Sequence, residues 1–71
     1  MIRSTIKNPS PMDMRDLIGH VVRFFLRTSF LPRRGKVERL NRREVYIEND
    51  WYRVRDIESV EDEGLDPKET P

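Results

Sequence analysis

Between positions 20 and 55 the chain carries ten basic side chains, nine of them arginine. Arg27, Arg33, Arg34 and Lys36 crowd one short stretch, and Arg39, Arg42 and Arg43 crowd the next. Arg23, Arg53 and Arg55 stand apart. A guanidinium is planar, forked and permanently charged, so it grips phosphate oxygens in pairs and stacks on flat rings. Tyr46 and Trp51 lie among these cations. Aromatic faces beside arginines form a platform on which bases of a single strand stack. The chemistry these residue types offer is recognition of a polyanion. The candidate phosphate contacts are Arg27, Arg33, Arg34, Lys36, Arg42 and Arg43, with Tyr46 and Trp51 as stacking faces. The same cations also suit an acidic protein partner, or serve only as a solvated surface.

Little else in the chain could react. There is no cysteine, which removes disulfides and thiolate metal sites. His20 is the single histidine; a lone histidine without cysteines makes no structural zinc site, and no nucleophile is paired with it. A structural role is the plainer reading. Asp13 and Asp16 are better explained by a helix start than as a catalytic pair. The three glycines are scattered and form no phosphate loop. The sequence therefore predicts binding without catalysis and without a cofactor.

The total charge of +1 hides a strong division. Residues 1–19 carry a net +1, residues 20–55 a net +6 and residues 56–71 a net −6. A basic body and an acidic tail are implied. Seventy-one residues make at most one small domain. The expected organisation is an irregular N-terminal arm over 1–9, a folded unit over 10–60 and a disordered acidic tail over 61–71. No apolar run is long enough to span a bilayer, and the first residues lack the apolar stretch of a signal peptide. A soluble, cytoplasmic protein is expected.

The elements that must position the arginines follow from spacing. Ser10, Pro11 and Asp13 compose a helix start, with a cap, a proline at the first turn and an acid three residues after the cap. Met14, Leu17 and Ile18 share a helical face, and Gly19 ends the helix. Residues 20–26 alternate as a first strand, with Val22, Phe24 and Leu26 inward. Phe30 and Leu31 are expected to continue the core across a bend near Pro32. A second strand starts at Gly35, with Val37 and Leu40 buried. Asn41 to Arg43 turn the chain. Val45 and Ile47 then face inward on a third strand, with Tyr46 outward. A turn at Asn49-Asp50 leads to a fourth strand over 51–54, with Trp51 outward. A short turn at Arg55-Asp56, of 3₁₀ type, leads to a fifth strand over 57–60. Val22, Phe24, Val37, Val45, Ile47, Val54, Ile57 and Val60 form the expected core.

This layout over residues 11–60 resembles the Sm-like and Hfq-type family of small β-barrels. The shared features are the helix, the glycine-led second strand, the hairpin and the ending Y-x-V-x-D-I-x-x-V from Tyr52 to Val60. The resemblance implies a mainly β fold: a five-stranded antiparallel barrel, Sm-like or Src-homology-3-like, with a short N-terminal helix. It also implies RNA as a ligand, and a ring in which the fourth strand of one copy pairs with the fifth of the next. No lysine-histidine pair precedes the last strand; Arg53, Val54 and Arg55 stand there. No family binding residue is therefore carried over.

The expected function is a nucleic-acid-binding module for RNA or single-stranded DNA, with self-assembly into a homo-oligomer through open strand edges. The rival is a small adaptor or inhibitor that grips a protein partner by a strand edge or by the basic loops.

Overall fold

The computed structural model describes residues 4–66. It is mainly β, with one short helix and six antiparallel strands in a single open sheet. The strands are β1 (Ser4–Lys7), β2 (His20–Leu26), β3 (Arg33–Leu40), β4 (Glu44–Ile47), β5 (Asp50–Arg53) and β6 (Ile57–Leu65). The helix α1 (Pro11–Asp16) follows β1, and a 3₁₀ turn (Val54–Asp56) precedes β6. The spatial order is β1-β6-β2-β3-β4-β5, so β1 and β5 are the sheet's edges.

The helix forms where its signals predict. The Asp13 N–H donates to Ser10 Oγ at 3.2 Å, and the Ser10 N–H donates back to Asp13 Oδ2 at 2.8 Å. This reciprocal pair satisfies two amides that the helix cannot. Gly19 takes the left-handed angle after it (φ 91°), which an L side chain would resist. Met14 and Leu17 point into the core, but Ile18 is exposed. The helix ends at Asp16, so position 18 no longer follows the helical face.

All eight expected core residues are buried, joined by Met14 and Leu17. Alternation sets this register: Leu40, Val45 and Tyr52 lie side by side across β3, β4 and β5, and Ile6, Val60 and Phe24 across β1, β6 and β2. Leu40 and Leu26 are half-buried against the cluster. Residues 33–36 of β3 pair with β2, and residues 37–40 pair with β4. Irregular register in β2 and β3 bends the sheet there. The bend is large. Flat, β2 and β5 would lie three strand spacings apart, about 14 Å, yet the rings of Phe24 and Tyr52 meet edge-on with centroids 5.1 Å apart.

Five expectations need correction. The sheet has six strands among the described residues, not five. Within the arm expected to be irregular, Ser4–Lys7 pairs with residues 59–62 of β6, because Ile6 completes an apolar row with Val60 and Phe24. Within the tail expected to be disordered, residues 61–65 extend β6, because basic residues of β2 and β3 face its acids: Arg23 stands opposite Glu61, and Arg34 Nε lies 3.0 Å from Glu63 Oε1. Residues 1–3 and 67–71, the outer ends of the two segments, lie outside the described residues. Phe30 and Leu31 do not enter the core; Phe30 is fully exposed, because β3 starts only at Arg33 and leaves them at the tip of the β2–β3 loop. The β4–β5 turn also sits one residue earlier than expected. Glu48 and Asn49 take positive φ (49° and 69°), and Asp50 already pairs with Ile47. Two central residues of positive φ match the right-handed twist of a tight hairpin.

Candidate functional site

The six predicted phosphate contacts divide into three groups, with the predicted stacking faces Tyr46 and Trp51 apart from them. Arg34 and Lys36 face acids from the end of β6: Arg34 meets Glu63, and Lys36 Nζ lies 3.9 Å from Asp66 Oδ2. They line a groove of mixed charge with Glu38, Glu48 and Asp66. Opposite charges beside them weaken their pull on a phosphate.

Arg27 and Arg33 are tied to neutral acceptors. Arg27 donates through Nε to the Arg55 carbonyl at 2.8 Å and through Nη2 to Asn8 Oδ1 at 2.6 Å. It pins the 3₁₀ turn to the chain just after β1, a structural task. Arg33 donates to the Tyr52 hydroxyl at 3.3 Å, with its guanidinium carbon 5.8 Å from that ring's centroid. This distance is within the range of a cation–π contact.

Arg42 and Arg43 form the third group, and here the fold adds what spacing did not reveal. They line a groove of about 620 Å³ together with Arg53, Arg55, Glu44, Val54, Pro9 and Pro11. That volume lies in the range of small-molecule sites. Asn41 builds one wall: its Oδ1 accepts from the Arg43 N–H at 3.0 Å and the Glu44 N–H at 2.8 Å. The side-chain carbonyl thus mimics a backbone turn. The Val54 N–H donates to the Arg43 carbonyl at 2.9 Å and locks the 3₁₀ turn against that wall. Among the described residues, the guanidiniums of Arg42, Arg43, Arg53 and Arg55 have no hydrogen-bond or ion-pair partner. Four unpaired cations on one groove create a positive field that an anion relieves.

Tyr46 and Trp51 stand directly opposite each other on the outward face of β4 and β5, with ring centroids 5.1 Å apart and planes tilted by 58°. Arg39 stands opposite Tyr46 on β3, and Glu44 stands opposite Arg53. Trp51 remains 44% exposed, enough ring to receive a flat ligand. One outward surface therefore runs from the row Arg39, Tyr46 and Trp51 to the row Glu44 and Arg53 and on into the groove.

The two basic loops do not converge on one groove. Arg53 and Arg55 are the residues that spacing undervalued. Their signal was the alternating R-V-R from Arg53 to Arg55, which flanks a buried valine and turns both arginines outward.

His20 Nδ1 lies 2.8 Å from Asp62 Oδ1, and Asp62 Oδ1 also accepts from the Gly64 N–H at 2.8 Å. Burial acts to raise the pKa of Asp62, but the bonds from His20 and Gly64 and the charge on His20 outweigh it, and the carboxyl sits below its ordinary value. The pair joins β2 to the far part of β6. No group of three or more metal-ligating side chains occurs among the described residues, and no helix among them is long and apolar enough to cross a membrane. The chain matches no known protein-family model, no curated protein and no solved structure.

Proposed function

We propose that this chain is a non-catalytic module that binds single-stranded nucleic acid, RNA or DNA, along the groove of Arg42, Arg43, Arg53 and Arg55. The sugar-phosphate backbone lies on the arginines, and a base stacks on Trp51. The observation that carries this reading is the meeting of four guanidiniums, unpaired among the described residues, with an aromatic pair whose Trp51 is exposed, on one surface. Arg27, Arg34 and Lys36 take lesser parts, because each already has partners within the chain. The curl that brings Phe24 to Tyr52 supports a barrel-like closure of the Sm-like or Src-homology-3-like kind, extended by β1. A second reading, a protein adaptor, draws on the free edge of β5 beside the same arginines, where an acidic extended segment could add a strand.

Salt separates the two. Anisotropy of labelled strands of about 12 nucleotides should show binding that weakens steeply between about 50 and 200 mM salt. Replacing Arg43 and Arg55 together by alanine should flatten the logarithmic salt slope by about 1.4, since each single-strand phosphate contact contributes about 0.7. Trp51→Ala should cost about 1–3 kcal/mol of binding and leave the slope nearly unchanged. Absence of binding to both RNA and DNA at low salt defeats the reading and leaves the adaptor.

A further inference from the structure

Glu44 is the one carboxylate among the residues that line the arginine groove. It is half-buried and stands opposite Arg53. Its backbone is satisfied: its N–H donates to Asn41 Oδ1, and its carbonyl accepts from the Asn41 N–H at 2.9 Å. Its carboxylate has no hydrogen bond or ion pair among the described residues, although four arginines share the groove. A groove that served phosphate alone gains nothing from this group, which repels a phosphate. An ionised carboxylate only accepts hydrogen bonds. A ligand that suits the whole groove therefore brings hydrogen-bond donors as well as anionic charge, and two donors side by side suit the two carboxylate oxygens best.

The nucleobases differ in this respect. Guanine offers N1–H and N2–H side by side on its Watson–Crick edge, matching both oxygens of a carboxylate. Adenine and cytosine each offer one amino group beside a ring-nitrogen acceptor, which confronts the second oxygen. Uracil and thymine hold a single N3–H between two carbonyls. Position matches as well as chemistry. Glu44 and Tyr46 lie on one face of β4, two residues or about 6.7 Å apart. That distance fits a purine laid on the aromatic pair with its edge turned to the carboxylate.

We propose that Glu44 is the base-reading residue of the groove and selects guanine. This rests on the nucleic-acid reading of the same groove. The arginines supply affinity that ignores sequence, and Glu44 supplies discrimination.

The test uses four labelled strands of about 12 nucleotides: an all-uridine strand, and versions in which every third uridine is replaced by guanosine, adenosine or cytidine. Anisotropy gives the affinity of the full chain and of Glu44→Gln and Glu44→Ala for each, with thermal unfolding confirming that every variant is folded. The expected result is guanosine strands bound about tenfold tighter than uridine strands, within the range of a two-bond base contact. In both variants that ratio should fall towards one while affinity for the three strands without guanosine rises, because a negative charge has left the groove. The ratio is the readout, since the charge effect acts equally on every strand and cancels. Equal binding of all four strands by the unaltered chain overturns the selection and leaves nucleic-acid binding standing. A guanosine preference that survives Glu44→Gln overturns the role of Glu44. Failure to bind any strand overturns both proposals.

Discussion

Single side chains of one type do quite different work here, and their partners decide which. Arg27 and Arg43 look alike in the sequence. The first spends its donors on the Arg55 carbonyl and Asn8, while the second has none of its side-chain donors committed among the described residues. Asp62 shows the same dependence on surroundings. Burial opposes its charge, yet the bonds from His20 and from the Gly64 N–H hold its carboxyl below the ordinary value of 3.8. A carboxyl whose folded-state pKa lies below its unfolded value contributes stability above the unfolded pKa and loses it as pH falls through the folded one. Urea unfolding should therefore show the chain more stable than Asp62→Asn at neutral pH, with the gap narrowing as pH falls below about 4. A gap that is unchanged at low pH would refute this account of the pair.

At the scale of elements, the close approach of β3 to the β4–β5 turn rests on one missing side chain. A Cβ at Gly35 would lie 2.6 Å from the Glu48 Cβ and 2.9 Å from Ile47 Cγ2. Ile47 is fully buried and cannot retreat into open space. The Lys36 N–H also reaches Glu48 Oε2 at 3.4 Å, so the same crossing carries a hydrogen bond. Gly35→Ala should destabilise the fold by about 1–3 kcal/mol, the usual cost of overpacking, measured as a lower urea midpoint. An unchanged midpoint would mean that the turn is free to shift. In the sequence, Gly35 looked like a strand start; only the neighbour across the sheet shows it to be a packing requirement.

For the whole molecule, the decisive arrangement is the position of β1. The ring implied by the Sm-like resemblance needs the outer edge of the strand that follows the 3₁₀ turn. That edge is occupied by the chain's own Ser4–Lys7, in register with residues 59–62. A paired edge cannot recruit a neighbour, whereas an unpaired one invites it. Deleting residues 1–7 should bare β6 and shift the protein to larger species in sedimentation velocity, with circular dichroism confirming retained strand content. Unchanged sedimentation after the deletion would show that β1 does not guard this edge.

Much of the fold was legible in local spacing. Period-two alternation placed Val22, Phe24, Val45 and Ile47 inward, and Ser10, Asp13 and Gly19 bounded the helix, because these signals act over a few residues and need no distant partner. Pairing across the sheet was not legible. Residues 61–65 are too acidic to order by themselves, and become a strand only because β2 and β3 present Arg23 and Arg34 to them. Ser4–Lys7 gains its place from an apolar row whose other members are 18 and 54 residues away from Ile6. The candidate site follows the same rule. The sequence determined that arginines and aromatics would be plentiful and that Tyr46 and Trp51 would face outward. Tertiary structure decided which arginines keep their charge unpaired, since a charge is cancelled only by a group brought within reach in space. That selection set aside Arg34 and Lys36 and joined Arg53 and Arg55 to Arg42 and Arg43 around Glu44.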